Sequence, residues 1–444
     1  MDYIGYVGVD IQFTRLTQEE MLKNRIVFID MYDLPYTDLS AFIGLAITNY
    51  TDEQFMVDHK HLFEGFLNRG GVIFSMAEME QSYLPNAPIW HRSPTPIRER
   101  EIILTDPDYP MFKNIEEYDL NYRKGVKGFF TRGYFKEVPA QSEIIVKDEL
   151  DAPIMYVDRH STNGVLIVGA GTDLYQMYRQ ETADSSTAHK LTTQIFDAIR
   201  AEYKANKEIE KKQLIPVLPV ESVKSKSAQQ GQAKWSNKIA ILTNGMTFHN
   251  RFFAMEQYKD FYDDVIHIAD LHKTDLTPYS TLIVTDRCSI PHLKRNQAKM
   301  IAFINSGKRL FIFGEVLDNW FPTIDWKDSE VNFSWWVKPE GDLPLVEQNK
   351  YHDLYEYVTL KDMKWHYHGT FQPPKGAFSL VDNDEGRSIF YIDNASFKGE
   401  LIVTSLDPIF HIGLGFIDQT KPFMAGLTKW LRGRENECLI VEKF

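Results

Sequence analysis

The chain has 444 residues, 43% hydrophobic and 25% charged, with a formal net charge of -13 at pH 7. That length exceeds what one hydrophobic core usually supports, so two domains are expected. The acid excess excludes a general nucleic-acid coat, which needs a cationic footprint, and two cysteines, Cys288 and Cys438, exclude a disulfide framework or a cysteine-built metal site.

Taken from its start, the sequence MDYIGYVGVDIQF has neither a basic leader nor a continuous apolar stretch, so no signal peptide is expected. No apolar run approaches membrane-spanning length. A cytoplasmic protein with no membrane partner is the expectation. A short strand and the helix-like TQEEMLKN open the chain, and RIVFID reads as a buried strand. AFIGLAITN is the next strand. Thr51 or Asp52 is placed to cap a helix whose apolar positions, Phe55, Met56, Leu62, Phe63, Phe66 and Leu67, recur at helical spacing. Gly70 and Gly71 end that helix before the strand VIFSM. From Glu80 to about Lys127 the chain is rich in proline and turn residues, and long loops of this kind often line sites. Its basic stretches, Arg92 to Arg100 and Arg123 to Lys127, read as solvated loops. EIIVKD, APIMYVD and GVLIVGAG are three strands, and a helix near Thr187 to Tyr203 closes the first half.

The expected division is a first domain over 1–203, a proline- and serine-bearing linker over 204–236, and a second domain over 237–444. The second half repeats the first. KIAILTNG is a strand, NRFFAMEQYKDFYDD an amphipathic helix and VIHIADL a strand. Asp275 to Glu315 then aligns without a gap on Asp38 to Glu78, at an offset of roughly 237 residues with about nine identities. A second insertion, rich in proline and tryptophan, follows. PIMYVDRHSTNGVLIV matches SIFYIDNASFKGELIV at an offset of roughly 235. A closing helix, PFMAGLTKWLRG, and a terminal strand, ECLIVEKF, complete the reading. Two such halves define an α/β protein: two tandem three-layer flavodoxin-like domains with mostly parallel sheets.

The phrases NRGGVIFSMAE, NSGKRLFIFGE and KGELIVTSLDPIFHIG resemble the class I glutamine amidotransferase-like superfamily. Within it they are most similar to the ThuA-like proteins and the trimerisation domain of certain β-galactosidases. The resemblance implies a cysteine nucleophile on the turn after the glycine-led strand, and a late His-x-Glu. Here the turn carries Ser75, Met76, Ala77 and Glu78 in one copy, and Ile312, Phe313, Gly314 and Glu315 in the other. Neither has a thiol, so glutaminase activity is not expected.

Ligands of open α/β sheets bind beyond the carboxyl ends of the strands. Glu78 and Glu315 sit at such ends, either as acid, base or ligand-binding groups or as corner-fixing caps. Asp286 and Arg287 share a corner and read as a ligand contact or an ion pair. Cys288 precedes a helix, four residues before His292, and its repeat counterpart is Thr51; a small capping residue is the plainer reading. His366 and His368 have strand-like spacing and share one face; a metal site with His352 and His411 is conceivable, yet the resemblance offers it no support. If the chain has an active site, the candidates are Glu315, Asp407 and His411, with Asn244 and His249 as further binding residues; the first domain has Gln176 where His411 stands. Dinucleotide, Walker A, nucleophile-elbow and HExxH motifs are all missing, so neither a cofactor nor a metal is expected.

These features point to a non-catalytic tandem scaffold that binds a protein partner or self-associates into an oligomer, as a subunit of a larger bacterial or phage-related assembly. The alternative is a carbohydrate-binding or carbohydrate-processing protein whose sugar ligand meets the Glu315, Asp407 and His411 corner.

Overall fold

The computed structural model describes residues 2–14, 16–209, 238–329, 335 and 340–433. The chain divides into two units, Met1–Ser225 and Lys226–Phe444. The terminal segment ECLIVEKF lies outside the described residues, as does most of the expected linker; its first four residues extend the helix Leu191–Lys207.

The first unit is an eight-stranded sheet. Its spatial order is Ile26–Asp30, Tyr3–Gly8, Phe42–Ile47, Val72–Ser75, Val165–Gly169, Pro153–Asp158, Glu143–Asp148 and Ile102–Leu104. The first five are parallel and the rest antiparallel. The second sheet has ten strands. It repeats the plan with Asp264–His267, Lys238–Thr243, Tyr279–Val284, Arg309–Phe313 and Glu400–Thr404 in parallel, then Ser388–Asp393 antiparallel. Counted along each chain half, the parallel strands run 2-1-3-4-5, the flavodoxin-like order. The repeat offsets hold residue for residue: Phe42–Ile47 matches Tyr279–Val284, and Pro153–Asp158 matches Ser388–Asp393.

These segments form central strands because they are β-branched or aromatic runs that bury nearly every side chain, as in VLIVG and RLFIF. Both repeat helices end on a glycine with φ +84, Gly70 and Gly307, a left-handed conformation that a side chain would strain. The expected long helix of the first repeat is broken at His59 into Glu53–Asp58 and Lys60–Asn68. Asp52, not Thr51, caps it, accepting from Phe55 N at 3.1 Å. The second copy is one unbroken helix, Ile290–Asn305. The first insertion is not only loop: Ile102–Leu104 adds the edge strand, and His91–Arg92 pairs with Gly133–Tyr134. The core of the second unit joins Phe311, Phe313, Phe390, Trp365, Phe423 and Trp430. Among the described residues no helix is long and apolar enough to cross a membrane.

Candidate functional site

In the second unit the parallel strands end at one edge, and the chain turns there into Asn244, Asp286, Glu315 and Asp407. Gly314 makes this convergence possible. Its φ is +77, and a Cβ there would lie 2.7 Å from Asp286 Cβ.

Arg287 is the centre. It has a left-handed backbone, φ +59, and its guanidinium is 4% exposed. Nη1 donates to Asp286 Oδ2 at 2.8 Å, and Nη2 to Asp407 Oδ2 at 3.0 Å; Glu315 Oε1 lies 3.9 Å from Nη2. The ring of Phe410 stacks under the guanidinium, 3.7 Å from centroid to Cζ. Three carboxyl groups therefore face one buried cation. Burial, with Asp407 adding, pushes Asp286 up to about 7. Burial would also raise Asp407, but His411 and Arg287 outweigh it and hold that carboxyl well below its usual range.

The imidazoles complete the cluster. His411 Nε2 lies 3.0 Å from Asp407 Oδ1 and 2.9 Å from His366 Nε2. His368 bridges Glu315 Oε1 and Asp407 Oδ2, each at 3.4 Å. Trp365 Nε1 donates toward Asp407 Oδ1 at 3.5 Å. Burial holds His366 and His411 below the ordinary imidazole range, against the pull of Asp407 on both. Among the described residues, His366, Asp407 and His411 offer ligand atoms that all lie within 4.8 Å of one another.

Asn244 and His249 brace this corner from behind. Asn244 Nδ2 donates to Arg287 O at 3.1 Å, and its Oδ1 accepts from Ser289 N at 3.1 Å. His249 Nε2 donates to Asp286 O at 3.1 Å, and Thr243 Oγ1 lies 3.2 Å from Nδ1. Both residues hold the loop that carries Asp286 and Arg287. The fold thus brings Glu315, Asn244, His249, Asp286, Asp407 and His411 to one edge. His352 is not with them; its Nδ1 faces Asp353 at 3.1 Å and its ring lies beside Trp430. Cys288 is buried, with Sγ 3.2 Å from Thr285 Oγ1, as a packed cap residue would be. Glu78 belongs to the other unit, buried with its side chain over Gly171. Sequence reasoning treated Arg287 as a local ion pair, although its second partner, Asp407, is 120 residues away. The alternation of WHYH was the one signal for His366 and His368.

The corresponding corner of the first unit surrounds one buried carboxyl, Asp173, with uncharged donors. Tyr6 OH donates to Asp173 Oδ2 at 2.6 Å, Gln12 Nε2 to the same oxygen at 3.4 Å, and Thr48 to Gln12 Oε1 at 2.6 Å. Gln176 Nε2 donates to Gln12 O at 2.7 Å. Burial pushes Asp173 up to about 6. A folded pKa above the unfolded value means this group stabilises fully below pH 4, and the contribution is lost as pH rises toward 6. The expected loss is about 3 kcal/mol across that window. Asp173→Asn is expected to flatten that part of the stability-pH curve, read by urea unfolding at pH 4 and 7; an unchanged slope would refute it.

A cavity of about 540 Å³ lies at the opposite end of the second sheet, lined by Tyr279, Arg309, Lys398 and Glu400. Arg309 Nε donates to Glu400 Oε2 at 2.7 Å there. Its lining carries no imidazole.

The fold and the corner define a two-unit α/β protein with one charged strand-end cluster. No known family matches the chain, and no curated protein does. Solved structures with a similar chain course include a cytoplasmic protein from Salmonella typhimurium LT2, at 10% identity and TM-score 0.30, covering 44% of this chain and 99% of that one. A glutamine amidotransferase from Thermotoga maritima has 8% identity and TM-score 0.28, covering 46% and 84%. A catalytic mutant of Gan42B, a GH42 β-galactosidase from G. stearothermophilus, has 12% identity and TM-score 0.27; the match covers 91% of this chain and 55% of the β-galactosidase. At these scores nothing about ligand or activity follows.

Proposed function

We propose that the chain is a non-catalytic tandem amidotransferase-like protein that acts by binding, and that a protein partner or a second copy is what it engages. The observation that carries this reading is the contrast between the duplicated corners. The first unit fills its corner with a network of uncharged donors, Tyr6 and Gln12, around the single carboxyl of Asp173. The second keeps charged groups there but turns them on one another, through Arg287, at exposures of 0 to 4%. Neither turn after the glycine-led strand carries a thiol, and Cys288 is buried with its Sγ 3.2 Å from Thr285 Oγ1. A carbohydrate reading of Glu315, Asp407 and His411 has less support, because those side chains are buried against Arg287 and His366 rather than presented to a sugar.

The test is direct. The full chain is expected to release no ammonia from glutamine, and to show in native mass measurement a complex larger than its 51.7 kDa, alone or with a co-purifying partner. Turnover abolished by Glu315→Gln, or a strict monomer with no partner, would overturn the proposal. A sugar panel in thermal shift separates the alternative, since a ligand that binds the native state raises the melting temperature.

A further inference from the structure

We propose that His366, Asp407 and His411 form a binding site for a divalent first-row transition ion, with zinc the fitting probe. The inference goes beyond the proposed function and does not depend on it. His411 Nε2 stands 2.9 Å from His366 Nε2 and 3.0 Å from Asp407 Oδ1, and all three donors lie within 4.8 Å of one another. An ion with bonds of ~2.1 Å sets its donors roughly 3.0–3.4 Å apart, close to the two distances from His411 Nε2. Two imidazole nitrogens and one carboxylate oxygen are donors that suit zinc and its neighbours better than magnesium or calcium.

The local sequence explains the convergence. Asp407 and His411 lie one helical turn apart at the start of Pro408–Leu414, and residues at i and i+4 share a face. His366 arrives from the segment before Gly369–Phe371, and its ring meets His411 at 4.5 Å between centroids. His411 Nε2 faces an imidazole nitrogen and a carboxylate oxygen at once, and its single proton satisfies one of them. An ion coordinates all three.

The surroundings have the charge and the support a cation needs. Glu315 and Asp407 alone outnumber the Arg287 guanidinium. Arg287 engages Oδ2 of Asp407 while His411 faces Oδ1, which fixes the carboxylate as outer-shell partners of metal ligands do. The duplicate lacks the set: Thr172 and Gln176 stand at the positions of Asp407 and His411.

The full, untagged chain is stripped with chelator, incubated with zinc, gel-filtered and assayed for retained metal. About one equivalent is expected, with a melting temperature several degrees higher in zinc and no rise in magnesium. His366→Gln and His411→Gln are each expected to lower affinity at least tenfold, while His272→Gln, on an exposed turn, leaves it unchanged. Retention below a tenth of an equivalent by the folded wild type overturns the proposal, as does wild-type retention by variants that circular dichroism shows to be folded. Should the variants not fold, cobalt on the wild type decides: visible d–d bands support the site, and their absence overturns it. Failure here leaves the glutamine and native-mass outcomes standing, so the two readings fall separately.

Discussion

Replacing Arg287 with methionine is expected to destabilise the second unit by about 3–5 kcal/mol, the usual cost of removing one partner from a buried charge cluster. The side chain is 4% exposed and is the shared donor to Asp286 and Asp407. Methionine fills much of its volume, so the loss is electrostatic rather than a cavity. Asp407 would lose its only guanidinium partner in the cluster, and the Phe410 ring would lose the guanidinium stacked on it. Arg287→Lys keeps the charge but not the fork that reaches two carboxylates, so an intermediate loss is expected. Urea unfolding monitored by tryptophan fluorescence checks both. A loss under about 1 kcal/mol for the methionine variant would mean the cluster is not held by this residue.

Acid should weaken the same unit through His249. Burial holds this imidazole down to about 3. Its Nε2 donates to a carbonyl, that of Asp286, so Nδ1 is the bare nitrogen and accepts from Thr243. A second proton would have to enter at Nδ1, inside a closed site, and would displace the threonine hydrogen. Above the unfolded value near 6.5 both states are neutral and the contribution is complete. As pH falls from 6.5 toward 3, only the unfolded chain gains the proton, and stability drops by about 1.4 kcal/mol per pH unit. About 3 kcal/mol should be gone by pH 4.5. His249→Gln keeps a donor for the Asp286 carbonyl and cannot titrate. The difference between its unfolding free energy and that of the wild type should shrink steadily on acidification from pH 7 to 4.5. Parallel curves would contradict the buried-neutral assignment.

The two effects meet in one loop. Asp286 and Arg287 are gripped from behind by His249 and Asn244, and from in front by Asp407. A disturbance on either side therefore reaches the charge cluster.

Much of this was legible in the chain. Short β-branched runs, each followed by a glycine turn or a capping residue, specify strands and helices locally, and their duplication fixes the α/β plan. The offsets of the two repeats carry over to the strand register without change. Glu315, Asp407 and Asp286 were legible as strand-end residues because that edge is where such folds place ligands. Elsewhere the sequence spoke less clearly. The break at His59 separates two helices whose apolar spacing reads as one. Ile102–Leu104 pairs with Glu143–Asp148 from inside a stretch that reads as turns.

By itself, the sequence determined two α/β units, the missing thiol, and which residues lie at the strand ends, because those follow from local pattern and position. Only the tertiary structure decided that Arg287 is the hub and that His366 and His368 reach Asp407 and His411. Those partners are separated by 39 to 120 residues. Their meeting depends on strand order and helix placement. A buried charge is assigned its role by what surrounds it, and no local pattern records the neighbours.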